Sequence, residues 1–407
     1  MWTRYNIKCH VCEKVTNMRI QIPNKDTFPV KFPCLGCETE ISGVLTVDFE
    51  NISYHFEIER GELVDLGHDA GDFFVEISDT LPTKKPSTSP HEMRLPTFRL
   101  KDSFKTKEQK DLKVFLKDED WEILKDLCVA YRNFNKQALQ KLSSDLLAKF
   151  GYQIPKFEID IEYHNAFFNC INFIIGHWLN TDFEGYVNFL KDELYNKEEE
   201  HFEAVRDFFT NNFDDDILAE MRAEFCDLII RFIENRDSFL FVYKDDISDD
   251  SFISNENFVV LKNFFTDCFE TLGKRAELIF RLQNILERGD ENTVPTDAPR
   301  DIIDAQSLSN RKHGNKLEVL DKSQIPQFEE IFSNDSFDHR LRNGINHQKA
   351  HLNKREQIIS YYPITARPDQ EFTITYHDFL KKALFSFSGV YSIGQLIFFA
   401  YLNQVVR

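Results

Sequence analysis

"NFVVLKNFFTDCFETLGKRAELIFRLQNILERG", residues 257–289, sets the class of this chain. Its apolar residues recur at the three-to-four spacing of a helix, which predicts one long helix over 257–287. Gly289 closes it, because only glycine takes the left-handed conformation that ends a helix at no steric cost. The same period recurs upstream. "DWEILKDLCVAYRNF" places Trp121, Leu124, Leu127, Cys128 and Tyr131 on one helical stripe. Similar patterns run through "HNAFFNCINFIIGHWL", "YVNFLKDELY", "EAVRDFF" and "ILAEMRAEFCDLIIRFI". The bulk of the chain is therefore expected to be helical.

The chain has 407 residues, too many for one ordinary core, so two or three domains are expected. Apolar residues make up 42% and aromatics 14%, with 40 phenylalanines, which excludes a disordered chain. A formal net charge of -19 excludes a protein that coats nucleic acid with its whole surface. Any such contact has to be local.

Residues 1–80 change period. "TNMRIQI", "FPVKF", "SGVLTVDF" and "SYHFEI" alternate apolar residues between Pro, Gly and Asn, as short strands do. "LPTKKPSTSPHEMRLP" has linker composition and separates this β-rich domain from the rest. The expected divisions are a β-rich domain over 1–80, a linker over 81–96, a helical region over 97–214 and a helical domain over 215–407. Within the last, "DENTVPTDAPRDIIDAQSLSNRKHGNK" reads as a loop and "IPQFEEIF" as a short helix. "EQIISYY" and "EFTITY" read as a late β-hairpin, with Asp378 placed to cap the final helix.

The eight cysteines fall into two groups. Cys128, Cys170, Cys226 and Cys268 stand alone in apolar helical contexts and read as buried thiols in a reducing, cytoplasmic compartment. Cys9, Cys12, Cys34 and Cys37 form two C-x2-C pairs. Tetrahedral zinc needs four convergent soft ligands, and each pair supplies two thiolates from one tight turn. These residues resemble a zinc ribbon, which implies a closed structural zinc site. Residues 1–80 hold 14 acids against 7 lysines and arginines, so a protein contact suits this domain better than a phosphate surface. The first ten residues, "MWTRYNIKCH", lack the apolar core of a secretory signal.

From Ala383 to Val406 there is no charged residue, long enough to cross a bilayer. Ser386, Ser388, Ser392, Gln395, Asn403 and Gln404 interrupt it, which favours a buried C-terminal helix over a membrane anchor. Ser388, Gly389 and Ser392 would also permit close approach of a second helix.

One segment inverts the overall charge. His339 to Arg355 contains three histidines and five lysines or arginines and no carboxylate, which points to an anionic ligand. Within it, Arg342-Asn343-Gly344-Ile345-Asn346-His347 has the R-N-x-x-x-H pattern and resembles the signature of HEPN-domain ribonucleases. This all-α family is found in toxins, RNA-guided nucleases and anti-phage defence. The resemblance covers about residues 215–407. It implies a mainly α fold and a metal-independent endoribonuclease with Arg342, Asn343 and His347 as catalytic residues. Arg340 also fits the looser family spacing; Asn343 favours Arg342. Arg340, Lys349, His351, Lys354 and Arg355 would bind RNA.

The residue types suit cleavage by the 2′-hydroxyl: an imidazole moves the proton and a guanidinium stabilises phosphoryl charge. Five positions along a helix turn through about 140°, so Arg342 and His347 do not share a face. Arg342 then belongs at the helix start, or two motifs meet across a homodimer, as family members commonly arrange. The resemblance further implies an RNA substrate and a toxin-like effector of prokaryotic defence or stress response, with an antitoxin or phage-derived trigger as partner. No cofactor beyond structural zinc is expected. The other reading is a non-catalytic helical protein that binds RNA or protein, with the zinc ribbon as adaptor.

Overall fold

The computed structural model describes residues 2–23, 25–67, 70–79, 83–90, 118–154, 156–179, 183–196, 201–243, 247, 251–254, 257–294, 302, 304–320, 323–332, 338–346, 350–363 and 370–406. The chain opens with strands β1 (Trp2–Lys8), β2 (Val15–Gln21), β3 (Thr27–Pro33), β4 (Glu40–Asp48), β5 (Ser53–Arg60), β6 (Glu62–Val64), β7 (Phe73–Ile77) and β8 (Thr83–Lys84). Helices α1 (Asp118–Arg132), α2 (Lys136–Ala148), α3 (Asp160–Ile174), α4 (Phe183–Tyr195), α5 (Phe202–Asn212) and α6 (Asp215–Phe239) follow. Strand β9 (Ser251–Phe252) precedes α7 (Phe258–Arg288), α8 (Ala305–Ser309), α9 (His313–Leu320), α10 (Pro326–Ile331) and α11 (His339–Asn346). Strands β10 (Ala350–Asn353), β11 (Ile358–Tyr361) and β12 (Phe372–Thr375) lead into the last helix, α12 (Tyr376–Val406). The fold is mainly α, with an N-terminal β-rich region and a late β-hairpin, as the periodicities predict.

Two compact units interleave along the chain, a division that consecutive boundaries do not express. The first comprises Met1–Phe104, Asn235–Leu261 and Asn343–Lys381; the second comprises Lys105–Glu234, Lys262–Arg342 and Lys382–Arg407.

In the first unit, β1 and β2 pair antiparallel along their whole length, from Trp2 opposite Gln21 to Lys8 opposite Val15. β6 extends this sheet beside β1, and β7 joins β2 in parallel. β3, β4 and β5 form a separate antiparallel meander. Along β3 exposed and buried residues alternate, so Phe28, Val30 and Phe32 enter the core with Ile7, Met18, Ile20, Leu45 and Phe56. Register shifts at Gly43, where a Cβ would stand 2.5 Å from the Glu57 carbonyl oxygen. The side-chain-free residue is what lets the bulge close.

β8 pairs with β9, which ties the 251–254 segment to the N-terminal strands. There Ser254 Oγ accepts from Ser78 N at 2.9 Å and donates to Ser78 O at 2.7 Å. The late hairpin gains a third strand the sequence did not announce: β10 pairs with β11, and β11 with β12.

The second unit is helical. The α1 stripe packs inward as spaced, with Leu124, Leu127, Cys128 and Tyr131 fully buried. Each such side chain contributes about 1.5–3 kcal/mol on leaving water. Tyr131 stacks on Phe167 at 3.8 Å and Phe232 on Phe387 at 4.5 Å. α7 runs as one helix to Arg288, and Gly289 follows at φ 75°. The expected loop over 290–316 holds α8 and the start of α9 instead. Asp304 caps α8 by accepting from Ser307 N at 2.7 Å, while Ser307 Oγ accepts from Asp304 N at 3.2 Å. A five-residue helix built on such a box shows no amphipathic period, so periodicity misses it.

α12 is capped by Thr375, whose Oγ1 accepts from Asp378 N at 3.0 Å and donates to Asp378 Oδ2 at 2.8 Å. Asp378 thus takes part as the third helical residue of the cap. α12 is long and apolar enough to cross a membrane, and 89% of its apolar window is buried within the protein. Its small residues are used inside the chain. Ser388 and Ser392 are fully buried, and a Cβ on Gly394 would collide with the Phe225 ring at 2.3 Å. The close approach that such small residues permit is thus made to neighbours within the same chain.

Candidate metal centre and basic site

Each C-x2-C pair occupies a turn between paired strands: residues 9–14 join β1 to β2, and 34–39 join β3 to β4. The two turns repeat each other bond for bond. Cys9 N donates to Lys14 O and Cys34 N to Thr39 O, both at 2.9 Å. Glu13 N donates to Cys9 O at 3.0 Å and Glu38 N to Cys34 O at 2.8 Å. Glu13 and Glu38 sit at φ 60° and 62°. That left-handed conformation costs a non-glycine residue about 1–3 kcal/mol, so the surrounding turn imposes it.

Cys9 Sγ lies 3.6 Å from Cys37 Sγ, and Cys12 Sγ 3.5 Å from Cys34 Sγ. All four sulfurs fall within 4.8 Å of one another. Zinc with Zn–S bonds of about 2.3 Å puts tetrahedral sulfurs about 3.8 Å apart, whereas a disulfide needs about 2.05 Å. The four cysteines are free, and their spacing is compatible with a structural zinc site. Burial pushes the Cys34 thiol up to about 12. The Thr39 hydroxyl, then its backbone N–H, brings Cys37 down to about 6. Zinc bound here would hold all four as thiolates, its charge offsetting their mutual repulsion.

Among the described residues the basic run spans a helix, α11, and a strand, β10. Asp338 caps α11: its Oδ1 accepts from Leu341 N at 2.9 Å and its carbonyl from Arg342 N at 3.0 Å. Arg342 therefore lies in the first turn, Leu341 and Ile345 are buried, and Asn343 is half-buried. A Cβ on Gly344 would meet the Tyr361 ring at 2.8 Å, so this glycine lets α11 lie against β11. His347 and Lys349 lie outside the described residues. His351 belongs to a strand. It sits exposed on β10 opposite Ser360. Arg340 is exposed, Lys354 Nζ pairs with Glu40 at 3.4 Å, and Arg355 Nε lies 3.5 Å from Glu356.

Two residues that sequence reasoning passed over complete the Arg342 site. Glu270 Oε1 accepts from Arg342 Nε at 2.8 Å and also from Nη2. Glu270 Oε2 pairs with His313 Nδ1 at 2.8 Å. One carboxylate from the middle of α7 thus holds a guanidinium on α11 and an imidazole at the start of α9. Two glycines allow the approach. A Cβ on Gly273 would stand 2.3 Å from His313, and one on Gly314 3.3 Å from His339. A signal for this was present: glycine inside a strong helix costs about 1 kcal/mol against alanine, and such a glycine marks a close neighbour.

Cys128, Cys170, Cys226 and Cys268 are fully buried. His164 is a core histidine, sharing a 2.8 Å hydrogen bond with the Tyr131 hydroxyl and stacked at 3.6 Å on Tyr401. Of the acids at 214–216, Asp214 caps α6 by accepting from Ile217 N at 2.8 Å. Asp245, Asp246, Asp249 and Asp250 lie outside the described residues. A cleft of about 720 Å³ opens between α3 and α4, lined by Tyr152, Phe157, Asn165 and Asn169. None of the expected site residues lines it. No family model matches the chain, and no curated protein or solved structure matches it either.

Proposed function

We propose that the protein is a HEPN-type endoribonuclease that cuts RNA by attack of the 2′-hydroxyl, with a zinc-stabilised N-terminal ribbon. Arg342 binds and stabilises the phosphoryl group, and His347 transfers a proton. The observation that carries this reading is the orientation of Arg342. It lies in the first turn of α11 within a run of 17 residues free of carboxylates, and Glu270 grips two of its donors beside an imidazole. A guanidinium so fixed presents a planar charge in a set direction, as stabilising a transition state requires. Zinc in the four-cysteine site supplies folding free energy and takes no part in cutting. The protein acts in the cytoplasm, as a homodimer and toxin-like effector; four buried free thiols suit a reducing compartment.

The test is incubation of purified protein with end-labelled RNA, with and without EDTA. Wild type is expected to leave 2′,3′-cyclic phosphate and 5′-hydroxyl ends, and brief EDTA treatment to leave the rate unchanged. Arg342→Ala is expected to lose cutting and part of the RNA affinity. Dependence on added magnesium, or 5′-phosphate products, sinks the reading.

The ion pair with Glu270 favours a second reading, in which Arg342 ties helices together and the basic segment only docks a partner. Under it, wild type binds RNA and cuts none, and Arg342→Ala lowers thermal stability without a change in any rate.

A further inference from the structure

We propose that His313 is a catalytic residue of this chain, the general base that takes the proton from the attacking 2′-hydroxyl. This rests on the ribonuclease reading above and deepens it, since neither the R-N-x-x-x-H pattern nor its spacing includes His313.

His313 Nδ1 lies 2.8 Å from Glu270 Oε2, and an ionised carboxylate only accepts hydrogen bonds. Against an ionised Glu270, a neutral imidazole donates from Nδ1 and keeps its lone pair on Nε2. That is the tautomer a base needs, fixed by its carboxylate neighbour. The residue packs closely on α7, since a Cβ on Gly273 would stand 2.3 Å from the His313 Cβ and Cγ. Yet the side chain keeps 32% of its surface open, so a ligand can reach it. The other oxygen of the same carboxylate holds Arg342. Base and phosphate-binding cation are thereby set side by side within one chain, though they come from helices 26 residues apart at their first residues.

Glu270 is the positioning residue: it touches both groups and no substrate atom. Glu270 on α7 is the anion that His313 pairs with, and its other oxygen pairs with Arg342 on α11. In the step itself, His313 Nε2 takes the 2′-hydroxyl proton as the 2′-oxygen bonds to phosphorus. The bond from phosphorus to the 5′-oxygen breaks, and that oxygen leaves with a proton from a second acid, for which the sequence supplies His347. The products are a 2′,3′-cyclic phosphate and a 5′-hydroxyl, and no oxidant, reductant or metal enters the balance.

His313→Asn separates this role from a structural one, because the asparagine amide can still donate to Glu270 from nearly the Nδ1 position but cannot take a proton. It is expected to melt with wild type and to lose about 10²–10⁴-fold in kcat with KM little changed. His313→Ala should be equally slow and should regain rate on addition of free imidazole. If His313→Asn cuts at the wild-type rate while Arg342→Ala is dead, the assignment falls and the ribonuclease reading stands. If wild type cuts no RNA, both fall. Should neither variant fold, nuclear magnetic resonance on wild type decides. An uncleavable oligonucleotide with a 2′-deoxy residue at the cut position should shift the His313 ring resonances, and an unmoved His313 overturns the proposal.

Discussion

The four-cysteine centre and the Glu270–His313–Arg342 cluster are assembled in opposite ways. In the first, two turns of the same length between paired strands each carry two ligands, and each turn closes with the same backbone bonds. Its geometry is local. Only the docking of the two β-hairpins has to bring the pairs together, and a zinc ion bound there would reward that step. In the second, three side chains arrive from three helices, and no segment contains more than one of them. That geometry belongs to the packing of the helical unit, through contacts as tight as His313 over Gly273. A local site is robust to distant change and fails when its metal leaves. A packed site fails when any of its helices shifts.

The largest effect expected from this contrast is the loss of zinc. Structural zinc contributes about 10–16 kcal/mol of apparent binding free energy, as much as a domain's whole stability. Prolonged chelation, or Cys34→Ser, is expected to unfold the β1–β5 strands. Hydrogen exchange should then show those strands unprotected, while α1–α5 keep their protection. Elemental analysis should find one zinc per chain in wild type. A full complement in Cys34→Ser, or collapse of every helix with the strands, contradicts the locality claimed for this centre.

Acid is expected to act on the helical unit through His164. Burial, and then the Arg222 charge, lowers this imidazole from its ordinary value to about 3. Tyr131, Tyr163 and Tyr401 surround it, Arg222 Nη1 donates to the Tyr401 hydroxyl at 3.1 Å, and Asp160 and Lys136 act on it from α3 and α2. The unfolded chain takes up a proton near pH 6.5 and the folded chain does not, so the contribution is full above that pH. It is lost as pH falls from 6.5 towards 3, by at most about 1.4 kcal/mol per unit for one proton. Thermal melts of wild type should start to decline below pH 6.5, and His164→Gln should flatten that decline. An unchanged slope in the variant places the acid sensitivity in other groups, first among them Glu220, held down by its hydrogen bonds to Lys274 and Arg275.

The same contrast explains what the sequence disclosed. Periodicity located α7 and the α1 stripe because one repeating pattern covers the whole helix. Spacing located all four cysteines because each ligand pair lies within four residues. β10 and α8 stayed hidden, being only four and five residues long. Glu270 and His313 stayed hidden for another reason. They are 43 positions apart, and nothing local distinguishes either from a solvated charge until the helices pack. What the sequence did carry was Gly273, an unexplained glycine in a strong helix, and the packed structure gives its reason.

One substitution made at both sites turns the contrast into a measurement. Gly36 and Gly273 each lie under a functional side chain: a Cβ on Gly36 would stand 3.1 Å from Cys12 Sγ, and one on Gly273 2.3 Å from His313. At Gly36 the neighbour is the end of a side chain in an exposed turn, which can yield by a few tenths of an ångström. Gly36→Ala is therefore expected to weaken zinc binding less than tenfold, under about 1.4 kcal/mol, with the strands intact. At Gly273 the neighbour is the first residue of α9, so the whole helix must move. Overpacking of this kind costs about 1–3 kcal/mol, and the move carries His313 off Glu270. Gly273→Ala should lower the melting temperature and slow RNA cutting together, whereas Gly36→Ala should change neither at saturating zinc. Equal costs at the two positions would mean that the four-cysteine centre is as dependent on distant packing as the helical cluster.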